Sequence, residues 1–146
     1  GEAGRWEQAL QTLESLKPPD VVDYNAAITA CGSAMQWTQA LLLMDRMRGR
    51  GIPRDVVTFG AAMSACDKAK ESQKALDLME QMRREELTPN VIVYNTAISA
   101  CERGGLWQQA KGLLGEMRGS KLRPDRITYN FAISACETAR RWQQAL

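Results

Sequence analysis

Apolar residues recur along the chain at the spacing of an α-helix. Tyr24, Ala27, Ile28 and Cys31 follow the i, i+3, i+4, i+7 pattern that places side chains on one helix face. A second series with the same spacing begins at Ala40, after the short break "GSAMQ". Turns that contain proline close each pair of series, because proline lacks a backbone donor and disfavours a helical residue before it. The pattern predicts helix hairpins separated by these turns.

The two-helix pattern repeats at a fixed step of 35 residues, and three columns of residues hold that step. They are the aromatic residues Tyr24, Phe59, Tyr94 and Tyr129, the cysteines Cys31, Cys66, Cys101 and Cys136, and the helix-capping residues Asp20, Asp55, Asn90 and Asp125. One hairpin of this size cannot bury its apolar stripe unless a neighbour covers it. The period therefore predicts an all-α fold, an α-solenoid of stacked antiparallel hairpins.

The columns divide the chain into one continuous array. We expect a partial repeat at 1–20, full repeats at 21–55, 56–90 and 91–125, and a partial repeat at 126–146. The pattern runs to both ends, so we expect the chain to be a segment of a longer array. The first joint is four residues shorter than the others, about one helical turn. The stretch "SLKPPD" is therefore predicted to make a tighter connection than its counterparts.

The repeat resembles the pentatricopeptide repeat over essentially all 146 residues. The marks are "VVDYNAAITAC", with an aromatic-Asn pair early in the first helix, the Glu116–Gly119 ending "EMRG" and the Pro-Asp that precedes the next unit. The tetratricopeptide repeat fits poorly, because Trp37 and Trp107 open the second helix here. The short first joint is similar to a shorter variant found in some pentatricopeptide proteins.

The resemblance implies a function. Pentatricopeptide proteins form right-handed superhelices that bind single-stranded RNA, one base per repeat, without a cofactor. Most act in mitochondria or plastids, and the resemblance extends that expectation to this chain.

The resemblance also assigns site residues. On a helix, Val22 and Asn25 are three residues apart and share a face distinct from the packing stripe. The family implies that β-branched residues stack between bases; these are Val22, Val57, Ile92 and Ile127. It implies that bases are read by pairs 30 residues apart: Asn25 with Asp55, Gly60 with Asn90, Asn95 with Asp125, and Asn130, whose partner position follows residue 146. Lys68 and Arg103 are the implied phosphate contacts.

Gly60 stands where the other repeats carry asparagine. It offers no amide, so Asn90 would read its base alone, and asparagine complements the donor and acceptor edge of adenine. The family pattern for Asn with Asp favours uridine. The predicted tract is 5′-U-A(purine)-U-pyrimidine, with the glycine repeat as its weakest reader.

Structural roles compete with these assignments. Asp55, Asn90 and Asp125 are also helix N-caps, worth about 1 kcal/mol each, and capping is compatible with base reading. Asparagine is a mediocre helix former. Capping does not explain it at Asn25, Asn95 and Asn130, for which the alternative is a structural hydrogen bond between repeats.

The cysteines and tryptophans are predicted to be core residues. Equivalent cysteines in stacked hairpins would lie roughly 8–10 Å apart, beyond the ~7 Å limit between bridged Cα atoms. With no CxxC spacing and no histidine, a zinc site is not expected. The tryptophans lie a turn before a buried alanine, which favours packing between repeats over base stacking; they are Trp6, Trp37, Trp107 and Trp142.

Composition leaves the partner open. The chain is 45% hydrophobic and 25% charged with a net charge of +2, which permits RNA binding without demanding it. No stretch of 18 apolar residues predicts a membrane span. Without histidine or a Walker loop, no catalytic site is predicted, and the chain is not expected to be an enzyme. A peptide-binding scaffold and a purely structural spacer remain the alternatives to RNA binding.

Overall fold

The fold consists of helices connected by short turns. The computed structural model describes residues 2–15, 19–120, 122, 126, 128–130, 133–134, 137 and 140. Within them the helices run in the order α1 (Glu2–Ser15), α2 (Val21–Ser33), α3 (Trp37–Gly49), α4 (Val56–Lys68), α5 (Ser72–Arg84), α6 (Val91–Gly104) and α7 (Trp107–Gly119). The described residues from 126 onward are also helical. The predicted all-α hairpin array is confirmed.

The first helix of each repeat begins at the polar column. Asp20, Asp55 and Asn90 are N-caps in extended conformation, and each side chain accepts the backbone N–H three residues later. Such a cap satisfies one of the orphan donors at a helix start. Asp125 lies outside the described residues.

The hairpin turns share one backbone geometry. A residue in the left-handed region ends each turn, namely Met35, Lys70 and Gly105, with φ of 61°, 63° and 71°. The next backbone N–H then bonds to the carbonyl five residues back, as in Leu106 to Cys101 at 2.7 Å. This is the hydrogen bond of a Schellman motif. Glycine meets the geometry without strain only at Gly105.

The helices form two layers. The first helices α2, α4 and α6 pack directly on one another, whereas α3, α5 and α7 each pack on first helices. In the described part of the chain the backbones of the second helices do not approach each other. An open groove of about 870 Å³ separates α3 from α5. The stack is therefore tight on the side of the first helices and splayed on the other.

The core follows the predicted columns. Tyr24, Phe59 and Tyr94 are buried, as are the alanines and the cysteines that follow them on the same helix face. In the second helices, Met47, Met82 and Met117 are fully buried at the same step. Contacts between neighbouring repeats thus create the core, as the period predicts.

The predicted tighter connection at the first joint falls largely outside the described residues. Helix α1 is described as far as Ser15, and residues 16–18 of the stretch "SLKPPD" lie outside the described part.

A glycine sets the closest approach of two first helices. A Cβ added at Gly32 in α2 would lie 3.1 Å from the Cβ of Ala65 and 3.4 Å from its Cα in α4. Gly112 in α7 has nothing within 4 Å of the same added atom. These two helical glycines therefore differ in the room available for a larger side chain, whereas the gain in helix propensity from alanine is the same at both.

We predict opposite effects for alanine at these positions. Gly112→Ala should raise the free energy of unfolding by up to about 1 kcal/mol through helix propensity. Gly32→Ala should lower it by up to about 2 kcal/mol, because overpacking costs ~1–3 kcal/mol and outweighs the same gain. Urea unfolding followed by circular dichroism measures both. Equal stabilisation by the two variants would show that α2 and α4 can separate freely.

Candidate nucleic-acid interface

Each first helix exposes one apolar residue beside its buried face. Val22, Val57 and Ile92 have 67%, 54% and 67% of their surface exposed, although their neighbours on the same helices form the core. They occupy the same position in three successive repeats. Ile127, the fourth residue predicted for base stacking, lies outside the described residues. The surface defined by Val22, Val57 and Ile92, hereafter the apolar row, is therefore regular and accessible.

Asn25 and Asp55 meet at the joint between two repeats. The carboxamide nitrogen of Asn25 in α2 donates to Oδ1 of Asp55, the cap of α4, at 3.1 Å. Asn25 is 9% exposed, so the pair lies just below the surface beside the apolar row. The structure brings together two residues that the sequence predicts as one base-reading pair. It also supplies the structural hydrogen bond that was the alternative for Asn25.

Thr58 joins this pair from the first turn of α4. Its backbone N–H donates to Oδ1 of Asp55 at 2.9 Å, and its hydroxyl receives the N–H of Asp55 at 3.2 Å, which completes a capping box. The same hydroxyl donates to Oδ1 of Asn25 at 2.5 Å. Thr58 is fully buried. Asn25, Asp55 and Thr58, hereafter the joint triad, thus share a continuous hydrogen-bond network.

The network determines the orientation of the Asn25 amide. A carboxylate can only accept hydrogen bonds, so the atom facing Asp55 must be the nitrogen. The oxygen then faces the Thr58 hydroxyl, which is the donor that it needs. One N–H and one lone pair of the amide remain for a ligand.

The other repeats vary this arrangement. The hydroxyl of Thr128 donates to Oδ1 of Asn95, as Thr58 does to Asn25. Asn90 accepts the backbone N–H of Val93 at 2.9 Å, and Gly60, the residue 30 positions before it, has no side chain to bond it. Asn130 is exposed, and Asp125 lies outside the described residues. The predicted asparagine and glycine readers therefore occupy equivalent places.

Hydrogen bonds keep Asp55 ionised. Burial would raise the pKa of its carboxyl, but the hydrogen bonds that it accepts from the backbone N–H of Thr58 and from the Asn25 amide lower the pKa. The pKa of Asp55 therefore lies below its usual range.

The two predicted phosphate contacts differ in their surroundings. Lys68 and Arg103 are exposed, and each lies three helical turns after Val57 or Ile92 on the same helix face. The Nε of Arg103 is 3.2 Å from Oδ1 of Asp67, whose Oδ2 accepts the Ser99 hydroxyl at 3.0 Å. Burial raises the pKa of Asp67, although Ser99 and Arg103 oppose that shift. Arg103 therefore also links two repeats.

The cysteines and tryptophans among the described residues belong to the core, as predicted. Cys31, Cys66 and Cys101 are free and buried, and burial raises the pKa of the Cys66 and Cys101 thiols to about 11. Trp6, Trp37 and Trp107 are partly buried against the core. Cys136 and Trp142 lie outside the described residues.

Thr58 and Thr128 are the residues that sequence reasoning missed. A signal existed, because a threonine follows each of Asn25 and Asn95 by 33 residues, whereas Val93 follows Gly60 by the same distance. Only the packing at the joint shows that this spacing brings the threonine hydroxyl to the asparagine amide.

Comparison with known proteins identifies the repeat. The family model described as pentatricopeptide repeat domain matches residues 17–66 and 42–104, and the model described as PPR repeat family matches residues 89–138. The chain belongs to the pentatricopeptide repeat family. A comparison with curated proteins finds no match.

Solved pentatricopeptide structures share the fold. One is the pentatricopeptide repeat protein PPR10 in complex with an 18-nt psaJ RNA element, with 29% identity, a TM-score of 0.78 and 94% of this chain covered. PPR10 from maize matches at 27% identity and a TM-score of 0.75, over 90% of this chain and 19% of its own. This chain spans about a fifth of the length of the protein in that RNA complex, 21%.

A more distant structure supports the fold alone. The PPR domain of Arabidopsis thaliana protein-only RNase P 1, in complex with tRNA, has 16% identity and a TM-score of 0.81. The match covers 96% of this chain and 76% of that one.

We predict that acid weakens the joint between the first two full repeats. The lowered pKa of Asp55 contributes stability that is present above its unfolded pKa, about 3.9, and is lost as the pH falls through the lower folded pKa. Asp55→Asn retains a capping side chain but cannot titrate. The difference in unfolding free energy between the chain and this variant should shrink as the pH falls below about 4.

Both proteins contain all the other acidic residues, so the titration of those residues cancels in this difference. Asp20, whose pKa is lowered mainly by the backbone N–H of Asp23, is present in both proteins and cancels. A difference that does not change with pH would show that Asp55 gains nothing from its ionised form in the fold.

Proposed function

We propose that the chain binds single-stranded RNA selectively through the face formed by its first helices, one base at each joint. The observation that carries this proposal is the joint triad lying directly beside the apolar row. It combines a hydrogen-bonding amide of fixed orientation with accessible side chains on which bases can stack. Membership of the pentatricopeptide family and the similarity to a protein solved with RNA support it.

The free groups of Asn25 fit a uracil. One N–H and one lone pair remain after Asp55 and Thr58 are bonded. The remaining N–H can donate to a carbonyl oxygen of the Watson–Crick edge of uracil, whereas the adenine edge places an amino group there. The same reasoning applies to Asn95, held by Thr128.

The glycine joint presents a different surface. Gly60 contributes no side chain, so the carboxamide of Asn90 is the polar group available there. Its oxygen already accepts the N–H of Val93, and its amide can pair with the acceptor and donor edge of adenine. The proposed tract is therefore 5′-U-A(purine)-U-pyrimidine.

The proposed mechanism is binding rather than catalysis. In the described residues no group of three or more histidine, cysteine or acidic side chains could hold a metal ion. None of the helices in the described part is long and apolar enough to cross a bilayer. A mitochondrial or plastid location stays a prediction from the family resemblance.

We predict that Asn25→Ala removes selectivity at the first base only. Fluorescence anisotropy at low ionic strength compares labelled RNAs containing UAUU, AAUU and UAAU. The chain should prefer U at the first and third bases, by about 0.5 to 1.5 kcal/mol, the net value of one hydrogen bond. Asn25→Ala should bind UAUU and AAUU equally and keep its preference at the third base.

Gln108→Ala is the matched control, because it removes an exposed amide from α7, on the opposite side of the stack. It should bind like the original chain. Equal or absent binding to all RNAs by the original chain would contradict the proposal and favour the peptide-binding scaffold.

We predict that Lys68→Gln weakens binding uniformly. Loss of one phosphate contact should reduce the slope of log K against log salt by about 0.7, the value for single strands. The preference between UAUU and AAUU should not change. Lys111→Gln, which neutralises an exposed lysine of α7, should leave the slope unchanged. A base-dependent loss for Lys68→Gln would show that it reads bases instead.

A further inference from the structure

We propose that the third residue of each first helix is a positioning residue, which sets whether the preceding repeat can use an asparagine to read a base. The pairs are Asn25 with Thr58, Gly60 with Val93 and Asn95 with Thr128. A hydroxyl lies beneath each asparagine, and an apolar side chain lies beneath the glycine. The inference rests on the proposed RNA-binding function and deepens it.

The Thr58 hydroxyl is fully used in this role. It accepts the N–H of Asp55 at 3.2 Å and donates its only proton to Oδ1 of Asn25 at 2.5 Å. It also lies 2.9 Å from Oδ1 of Asp55, but that oxygen already accepts N–H groups from Thr58 and Asn25. Thr58 is fully buried, so water cannot replace the hydroxyl. The hydroxyl therefore caps α4 and anchors the reader of the preceding repeat.

The anchor determines what Asn25 presents to a base. With its oxygen held by Thr58 and its nitrogen by Asp55, the amide plane cannot rotate without breaking a hydrogen bond. Without the hydroxyl, the amide oxygen of Asn25, a residue only 9% exposed, would face a methyl group and lose its hydrogen-bond donor. The amide would then turn to regain a partner, and its free N–H and lone pair would lose their fixed direction.

Val93 explains why asparagine is absent at position 60. Val93 is fully buried, and its Cγ2 lies 3.6 Å from the Cβ that any larger residue at Gly60 would carry. That contact leaves room for a side chain but offers no donor to an amide oxygen. An asparagine at this position would have its carbonyl against a methyl group. Gly60 and Val93 therefore form a matched pair, and so do Asn25 and Thr58.

The test removes the hydroxyl and measures base preference. Thr58→Val is nearly isosteric and should reduce the preference for UAUU over AAUU by about tenfold, with the third-base preference unchanged. Thr58→Ser retains the hydroxyl and should keep both preferences. Thr96→Val is the matched control, because the Thr96 hydroxyl bonds only the Ile92 carbonyl of its own helix, at 2.8 Å.

A merely structural role for Thr58 would give another result. Loss of the capping box would lower the melting temperature and weaken binding to UAUU and AAUU by the same factor, so their ratio would not move. An unchanged ratio in Thr58→Val, with the original chain discriminating normally, would overturn the positioning role while the proposed function stands.

An arm without RNA separates the two proposals. The side-chain amide signal of Asn25, assigned in the nitrogen–proton NMR spectrum by its loss in Asn25→Ala, should shift and exchange faster with solvent in Thr58→Val. If the original chain shows no base preference, the proposed function fails, and with it the reading role. In that case a shifted Asn25 signal in Thr58→Val would still show that Thr58 anchors the Asn25 amide. An unshifted signal would overturn the anchoring role as well.

The converse substitution tests the matched pair. Gly60→Asn alone should gain no preference for uridine at the second base, because Val93 cannot anchor the amide. Gly60→Asn with Val93→Thr should gain a preference of about tenfold. Equal gains in the single and double variants would show that the third residue of the helix is irrelevant to reading.

Discussion

Each hairpin in the described part of the chain depends on its neighbour to cover its apolar face. Tyr24, Phe59 and Tyr94 are buried at the same position in successive repeats, and the second helices add Met47 and Met82. Stability in such an array is a sum of repeat and interface terms. The interfaces must therefore repeat with the same geometry, and the surface residues beside them repeat as well. The regular spacing of the apolar row is a consequence of how the core is built.

The polar joint combines a role in the fold with the proposed role in base reading, through the same atoms. Asp55 caps α4 through the N–H of Thr58 and holds the amide of Asn25 through the same oxygen. Capping and reading are thus not competing explanations for this residue. The lowered pKa of Asp55 follows from these bonds, so the charge that orients the Asn25 amide also stabilises the joint.

The sequence predicts what depends on periodicity. Residue type and spacing are sufficient to predict the buried columns and the exposure of Val22. They also predict where the first helices begin, at the caps Asp20, Asp55 and Asn90. The burial of Asn25 does not, because its helix position alone places it beside an exposed valine. Its partner Thr58 lies 33 residues away, and only the packing of α2 on α4 brings them together. The pairing of Arg103 with Asp67 escapes prediction for the same reason.

The splayed second helices have a mechanical consequence. Because α2, α4 and α6 are in direct contact while the backbones of α3, α5 and α7 stand apart, bending the stack changes the outer grooves first. Side-chain links such as the ion pair between Arg83 and Glu116 span those grooves and can lengthen or break without disturbing the core. The layer of first helices then keeps its spacing when the stack bends. The distance between successive joints then stays constant while the curvature of the array changes.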